Sequence, residues 1–569
     1  MILRDRFESE VAALWGHLGR LARRHPELEG LYARDADPRV ARLVQSAAFA
    51  FASAQGRLDD DGQALVRPLV ARALPEGLRP APSSTIVEVS STGGRSGSRA
   101  GARLHAHVGS TRVRFEVVWP AAAPAVRLEE VRLDRLDARR QVLRFALVGR
   151  SGMPLGRGLP DALRFFVHVE PRGTALDLIH ALRSARAAGR ARWLGPSGEL
   201  LADAEVPTGS LAWVRVDTNE PSLVSARADR FASGTLLRDL FSFPESFCFL
   251  EVRLGFLQNP TAERVEVVLP LAHVVEGLAS FSTDNLRLAC APATNQAKGS
   301  VEPVANTPRE AVLRVAGKPH AEILEVRHLW ATSVRDASVR TELRSWEAPD
   351  QPHRFDPEET YFALEQRPAA AEDRTELRVM FGRLGAMPAA PGGIVEGDVL
   401  ASDGALTAGL GLGDVGSERE GAMNITRITP SRRARLGENH AWRLSAYARM
   451  AGGRLAQRAH LRELLQLHDP SGRTDDAVRV VPPDVLRVDH APEHDLVGAA
   501  LEWGDLFTID AHAPGATEGE LWLVGELVHR AIAERNEALR FARVVLLRDG
   551  APFAEYAARR GARLPFPLG

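Results

Sequence analysis

Leu3, Phe7, Val11, Leu14, Leu18 and Leu21 recur at steps of three and four residues, which places them on one stripe of a helix. His25-Pro26 is expected to end that segment, because proline disfavours helical geometry in the residue before it. Asp37-Pro38 then reads as an N-cap followed by proline in the first turn. Behind it Val40, Leu43, Val44, Ala47, Phe51, Ala54 and Leu58 form a second stripe, which Asp59-Asp60-Asp61-Gly62 is expected to close. Leu65, Leu69, Val70 and Ala73 suggest a third, shorter helix. Amphipathic helices in so short a stretch bury little by themselves. With no internal partner of sufficient size in view, the stripes are expected to pack on a neighbour, within the chain or on another one.

After Leu78-Arg79-Pro80-Ala81-Pro82 the period changes from that of a helix to two. Residues 86–89, 103–108, 112–119, 126–136, 142–148 and 163–169 alternate apolar with polar side chains and read as short strands. A helix is expected over 175–187, with later strands at 247–252, 265–269, 323–327 and 377–381. The Gly/Ser-rich stretch 90–101 reads as a linker, and the Gly-, Asp- and Ala-rich stretch 387–421 as a long loop. Helices are expected at 442–450, 455–467 and 518–534, and strands near 506–509 and 541–546. The whole is an α+β multidomain chain. An N-terminal helical arm (1–82) precedes β-rich, sandwich- or barrel-like modules (83–310). A middle β-rich domain carrying the long loop (311–430) and an α+β C-terminal region (431–569) follow.

Composition narrows the role more than the fold. Among 569 residues, 72 basic side chains face 73 acidic ones, a balance that argues against coating nucleic acid or an anionic membrane. Lys298 and Lys318 are the only lysines, so nearly all the positive charge is arginine. Codon bias explains most of that; an interface role also favours it, since arginine is enriched where proteins meet. Cys248 and Cys290 are too few for a disulfide framework, and neither sits in metal-ligand spacing. The N-terminus meets charge at once, unlike a signal peptide, and no run reaches the roughly 18–20 apolar residues of a membrane helix. A cytoplasmic protein without direct membrane insertion is expected.

The search for chemistry returns little. Neither lysine follows the glycine spacing of a nucleotide-binding loop, and no G-x-S-x-G elbow is present. Gly93-Gly94-Arg95-Ser96-Gly97 reads as linker. His490 and His494 lie four apart among Asp489, Glu493 and Asp495, but Pro492 prevents them from sharing a regular helix face, and the segment reads as a solvated acidic loop. His105 and His107 share a strand face with no third ligand in reach. No catalytic residue, cofactor site or metal site is assigned.

Longer patterns carry more information. Phe7 and Glu10, then ARRHPEL (22–28), a DPxVxRLV helix start (37–44), AFAFASAQGRLDD (48–60) and LPEGLRPAPSSTIVEV (74–89) together resemble the opening of TssF. TssF, also called VasA or ImpG, is the type VI secretion baseplate subunit. The resemblance rests at the N-terminus on His25, Pro26, Asp37, Pro38, Asp59, Asp60, Pro80 and Pro82. It continues through LLRDLFSFPESFCFLEV (236–252), with Phe243, Pro244 and Glu245 matching the family's FPE element, and through Cys290 to Asn295, which resembles its CTPxxN element. The segments 438–455, 461–467, 520–546 and 559–569 resemble the family's closing helices, strand and tail. Two departures are Gln296-Ala297, where the family has a hydrophobic pair, and WRLSAYA in place of WRLLSHL.

The resemblance implies a structural wedge component of a contractile injection machine, with no catalysis. In that family two copies join one TssG-like subunit around the spike or hub, touching a TssE-like sheath initiator and a TssK-like subunit. The assembly is cytoplasmic and docks on an inner-membrane complex where the system has one. Under that reading the partner interface falls on Phe7, Val11, Leu14 and Leu18 of the first stripe and on Val40, Leu43, Val44, Phe51 and Leu58 of the second. The alternative readings are a wedge subunit of a phage-like or extracellular injection particle, and a carbohydrate-active β-rich enzyme. The latter would need paired carboxylates in an aromatic-lined cleft, and the chain has only four tyrosines and 6% aromatic residues.

Overall fold

A computed structural model describes residues 3–25, 38–90, 97–150, 155, 159–223, 232–254, 261–278, 280–305, 310–334, 336, 338–346, 359–368, 375–383, 393–417, 421–432, 440–450, 452–469, 480, 482–497 and 500–562. The fold is mixed α+β, with N-terminal helices, a closed barrel and several further sheets.

Among the described residues, the second and third helices expected in the arm are one continuous helix. Helix α1 spans Leu3–Arg24, and α2 runs unbroken over Pro38–Ala73. The expected break at Asp59–Gly62 does not occur. Aspartate and glycine are poor helix formers, but their cost of roughly 0.5–1 kcal/mol each is small for a helix already nucleated on both sides. Val66, Val70 and Leu74 anchor the far end in the core. The arm also has an internal partner, contrary to expectation: α1 packs along α2, and α2 packs against the helix His440–Arg449 of the C-terminal region.

Six short strands close the barrel, in the order Ser84–Val89, Cys290–Thr294, Thr111–Val117, Arg103–Val108, Gly416–Ser417 and Ala422–Asn424. Around it lie a five-stranded sheet with Gln141–Gly149 and Arg264–Pro270 inside it, and a four-stranded sheet with Phe249–Arg253 and Ala162–Val167 at its centre. Helices α3 (Arg172–Arg183) and α4 (Ala232–Ser242) pack on this unit. An eight-stranded sheet follows, with its own core from Val301 to Ala401.

Ile394–Ser402, inside the stretch expected to be a loop, is a strand of that sheet, pairing with Glu322–Thr332. Its glycine content misled the reading: a Cβ on Gly397 would lie 2.4 Å from the carbonyl oxygen of His328, so the neighbouring strand excludes a side chain there.

The C-terminal region holds α5 (His440–Arg449), α6 (Arg458–His468) and α7 (Glu518–Ala533). Its sheet runs Asp484–Val497, Ala500–His512, Arg540–Arg548 and Ala551–Arg560, with α7 as the crossover between the parallel middle pair. The acidic histidine segment is therefore an edge strand, not a loop, and Pro492 is tolerated because it sits on an edge strand. Helix α7 is apolar nearly all round and buried, starting at a capping box between Thr517 and Glu520.

Asp403 bolts the two cores together. Its carboxylate accepts bonds from the Arg114 N–H (3.0 Å), Asn295 Nδ2 (3.1 Å) and Lys318 Nζ (2.5 Å), and its own N–H donates to Asn295 Oδ1 (2.7 Å). Burial alone would push this carboxyl up; the donors, led by Lys318, hold it below the usual range.

Candidate partner interface

On α2, Val44, Ala48 and Ala52 are buried at steps of four. Two of the three are alanine, which lets α1 approach closely. Phe7, Val11, Leu14 and Leu18 on α1 are half-buried, as is Val40 on α2. A hairpin of two helices cannot enclose its own apolar seam, so these side chains stay partly wet.

Leu43 and Phe51 lie off the seam, eight residues and so about two turns apart on one face; they are 70% and 53% exposed. The sequence brought Leu43, Val44 and Phe51 into one stripe, but the structure separates them: Val44 turns into the hairpin, the other two outward. Leu21 and Phe49 are further exposed apolar residues of the arm that the periodicity did not single out as interface. The repeated phenylalanine of AFAFASA was the available signal for Phe49. At Leu58, Asp59 and Asp60 the helical backbone alone is described. Pro26 and Asp37 lie outside the described residues; His25 is exposed at the end of α1 and Pro38 is the first residue of α2.

The remaining family-motif residues lie inside the body. Pro80 and Pro82 are buried where the chain leaves α2, and Ala81 pairs through its backbone with Arg432. Phe243, Pro244 and Glu245 are buried in the turn after α4. Burial pushes the Glu245 carboxyl up to about 7 even though the Arg172 guanidinium pairs with it and opposes the shift.

Nearby, the fully buried Arg215 pairs with Asp239, donates to Ser246 Oγ (2.6 Å) and lies 4.6 Å over the Phe247 ring. Sequence reading gave no hint of this pair, since Arg215 and Asp239 are 24 residues apart with no shared periodicity. Cys248 and Cys290 are buried free thiols, and burial pushes both up.

His490 and His494 do not join a metal cluster: His490 Nε2 meets Asp505 Oδ1 at 2.8 Å, and the His494 ring lies against Trp503. The large cleft beside the barrel, about 1460 Å³, is lined by Arg99, Arg103, Arg127, Arg150 and Arg287 with Glu88, Asp284 and Asp414, and by no Trp or Tyr among the described residues.

These features define a multi-module scaffold: a rigid body whose charges are neutralised internally, carrying an apolar helical hairpin. A chain of the type VI secretion TssK-TssF-TssG baseplate subcomplex has the same fold, with TM-score 0.70 and 18% identity over 92% of this chain and 100% of that one. A chain of another type VI secretion baseplate complex matches with TM-score 0.54 and 18% identity over 99% and 100%. Comparison with curated protein sequences finds no match. The sequence profile described as "Type VI secretion system, TssF" covers residues 2–563, and the chain belongs to that family of baseplate subunits.

Proposed function

We propose that the chain works as a wedge element whose body sets spacing and whose helical hairpin joins it to its neighbours: a TssG-like subunit and a second copy of itself. Contacts with a TssK-like subunit, a TssE-like sheath initiator and the spike or hub belong to the same reading. The observation that carries it is the outward pair Leu43 and Phe51 on a hairpin whose α1 alone is about 33 Å long. Large apolar side chains so exposed on a rigid helix mark a contact surface. Among the described residues no helix is long and apolar enough to cross a membrane.

Burying what is exposed of Leu43 and Phe51 is worth about 2–4 kcal/mol, from their exposed fractions of the roughly 1.5–3 kcal/mol that full burial gives. That corresponds to roughly 30- to 500-fold in Kd. The test is co-expression of the Leu43→Asp, Phe51→Asp double variant with a TssG-like subunit. The expected result is loss of the complex with an unchanged melting temperature for the isolated chain. Survival of the complex at wild-type yield overturns the hairpin assignment.

A further inference from the structure

Three segments distant in sequence converge where α3, α7 and the turn after Arg264–Pro270 meet. His273 Nε2 lies 3.2 Å from Asp177 Oδ1, and His273 Nδ1 lies 3.5 Å from Glu518 Oε2. One donor atom from each of the three residues can be chosen so that all lie within 4.8 Å of one another. We propose that Asp177, His273 and Glu518 bind one divalent transition-metal ion of the zinc class, which clips the start of α7 to α3.

Donors bonded to zinc at about 2.0–2.2 Å stand roughly 3.3–3.6 Å apart at the corners of a tetrahedron. His273 offers one nitrogen to an ion, so its ring must turn that nitrogen toward both carboxylates, and the three donor atoms, within 4.8 Å of one another, must draw closer. One imidazole with two carboxylates suits zinc-like ions better than calcium or magnesium, which prefer all-oxygen shells. Solvent reaches the site, because Glu518 is half-exposed while Asp177 is largely covered. The fourth position is left to water.

The scaffold holds the donors independently of any ion. The Gly519 N–H donates to Asp177 Oδ1 at 3.2 Å, and the Ala272 N–H donates to the Ala181 carbonyl at 2.8 Å, fixing the turn that carries His273. A Cβ on Gly519 would lie 2.3 Å from the Leu176 carbonyl oxygen, so only glycine permits this approach of α7 to α3.

Charge points the same way. Arginine answers carboxylates throughout this chain, yet the described ion pairs of Asp177 and Glu518 are to His273 alone. Two carboxylates meeting a single imidazole leave room for a cation.

The experiment uses the full-length chain freed of metal by chelation, titrated with zinc chloride in a calorimeter and followed by thermal melting. The expected result is one zinc per chain and a melting temperature that climbs as free zinc exceeds Kd, as ligand linkage requires. Glu518→Gln, on a half-exposed side chain, should weaken binding at least tenfold, in line with the roughly 10- to 100-fold lost when support for a metal site is removed. His273→Ala should abolish the melting response. His490→Ala, at a separate histidine–carboxylate contact, should leave binding unchanged. Absence of zinc binding overturns the proposal and leaves an imidazole held between two carboxylates; binding that persists in both Glu518→Gln and His273→Ala also overturns it, since the ion then sits elsewhere.

Discussion

Replacing Asp239 by alanine leaves the Arg215 guanidinium buried and without its counter-charge. The side chains of the pair are 0% and 4% exposed, so no rotamer brings the cation to water. Its remaining partners are Ser246 Oγ and the faces of Phe247 and Trp119, and the Leu223 N–H loses its acceptor as well. Breaking one partner of a buried pair costs about 3–5 kcal/mol, to which an orphaned backbone donor adds about 1–3 kcal/mol. Removing Asp203, which pairs with a mostly exposed Arg190, should cost at most about 1 kcal/mol. The assay is urea denaturation followed by tryptophan fluorescence, which Trp213, Trp119 and Trp193 in this core report. The Asp239→Ala midpoint should fall by several times the Asp203→Ala shift at unchanged slope. The double variant Arg215→Met, Asp239→Leu should recover most of the loss, because an apolar pair carries no desolvation penalty. Equal midpoints for Asp239→Ala and Asp203→Ala would refute the argument.

Three further outcomes follow from buried polar groups. Burial pushes His468 down to about 4, so the unfolded chain, near 6.5, takes up a proton that the folded one refuses. Its stabilisation is therefore complete above pH 6.5 and is lost as pH falls toward 4, and His468→Gln should flatten the urea midpoint over that window. Glu245, raised to about 7, has the opposite sign: its burden grows as pH rises from 4.5 to about 7, and Glu245→Gln should remove that slope. At the joint between the cores, Asn295→Ala strips Asp403 of one donor and one acceptor. Limited proteolysis should then release the eight-stranded module from the barrel at protease concentrations that leave the wild type intact.

Much of the element pattern was legible because it rests on local periodicity. Residues 103–108 form the strand Arg103–Val108, and 518–534 the helix Glu518–Ala533. What failed was decided by distant partners. Asp59–Gly62 looked like a stop until the burial of Val66 and Val70 carried α2 through it. Residues 387–421 looked like loop because their glycines carry no hydrophobic signal, whereas Gly397 is there for the backbone of His328. Pro492 argued against a helix and equally against a strand, and only the edge position of Asp484–Val497 reconciles it with the sheet. At the interface, a step of eight put Leu43 and Phe51 on one face, but which face turns outward depended on where α1 lies.

The arginine excess now has a physical reading. Had it served partner contacts, the guanidiniums would stand clear of carboxylates on an outer face. Instead they cross-brace the sheets: Arg264 reaches Glu129 and Glu130, Arg543 reaches Glu493 and Asp495, Arg540 reaches Asp505, and Arg183 grips Asp217 with two nitrogens. Arg264 and Arg543 each reach across an intervening strand of their sheet, Arg540 to the adjacent strand, and Arg183 from the end of α3 to a distant segment. A planar fork can meet two oxygens at once where a lysine would meet one. Singly, such partly exposed pairs contribute little. Several together brace the strands of one sheet against one another. Leu43 and Phe51 stand outward on a stretch of the arm, Val40 to Ala54, that carries a single basic residue, Arg42.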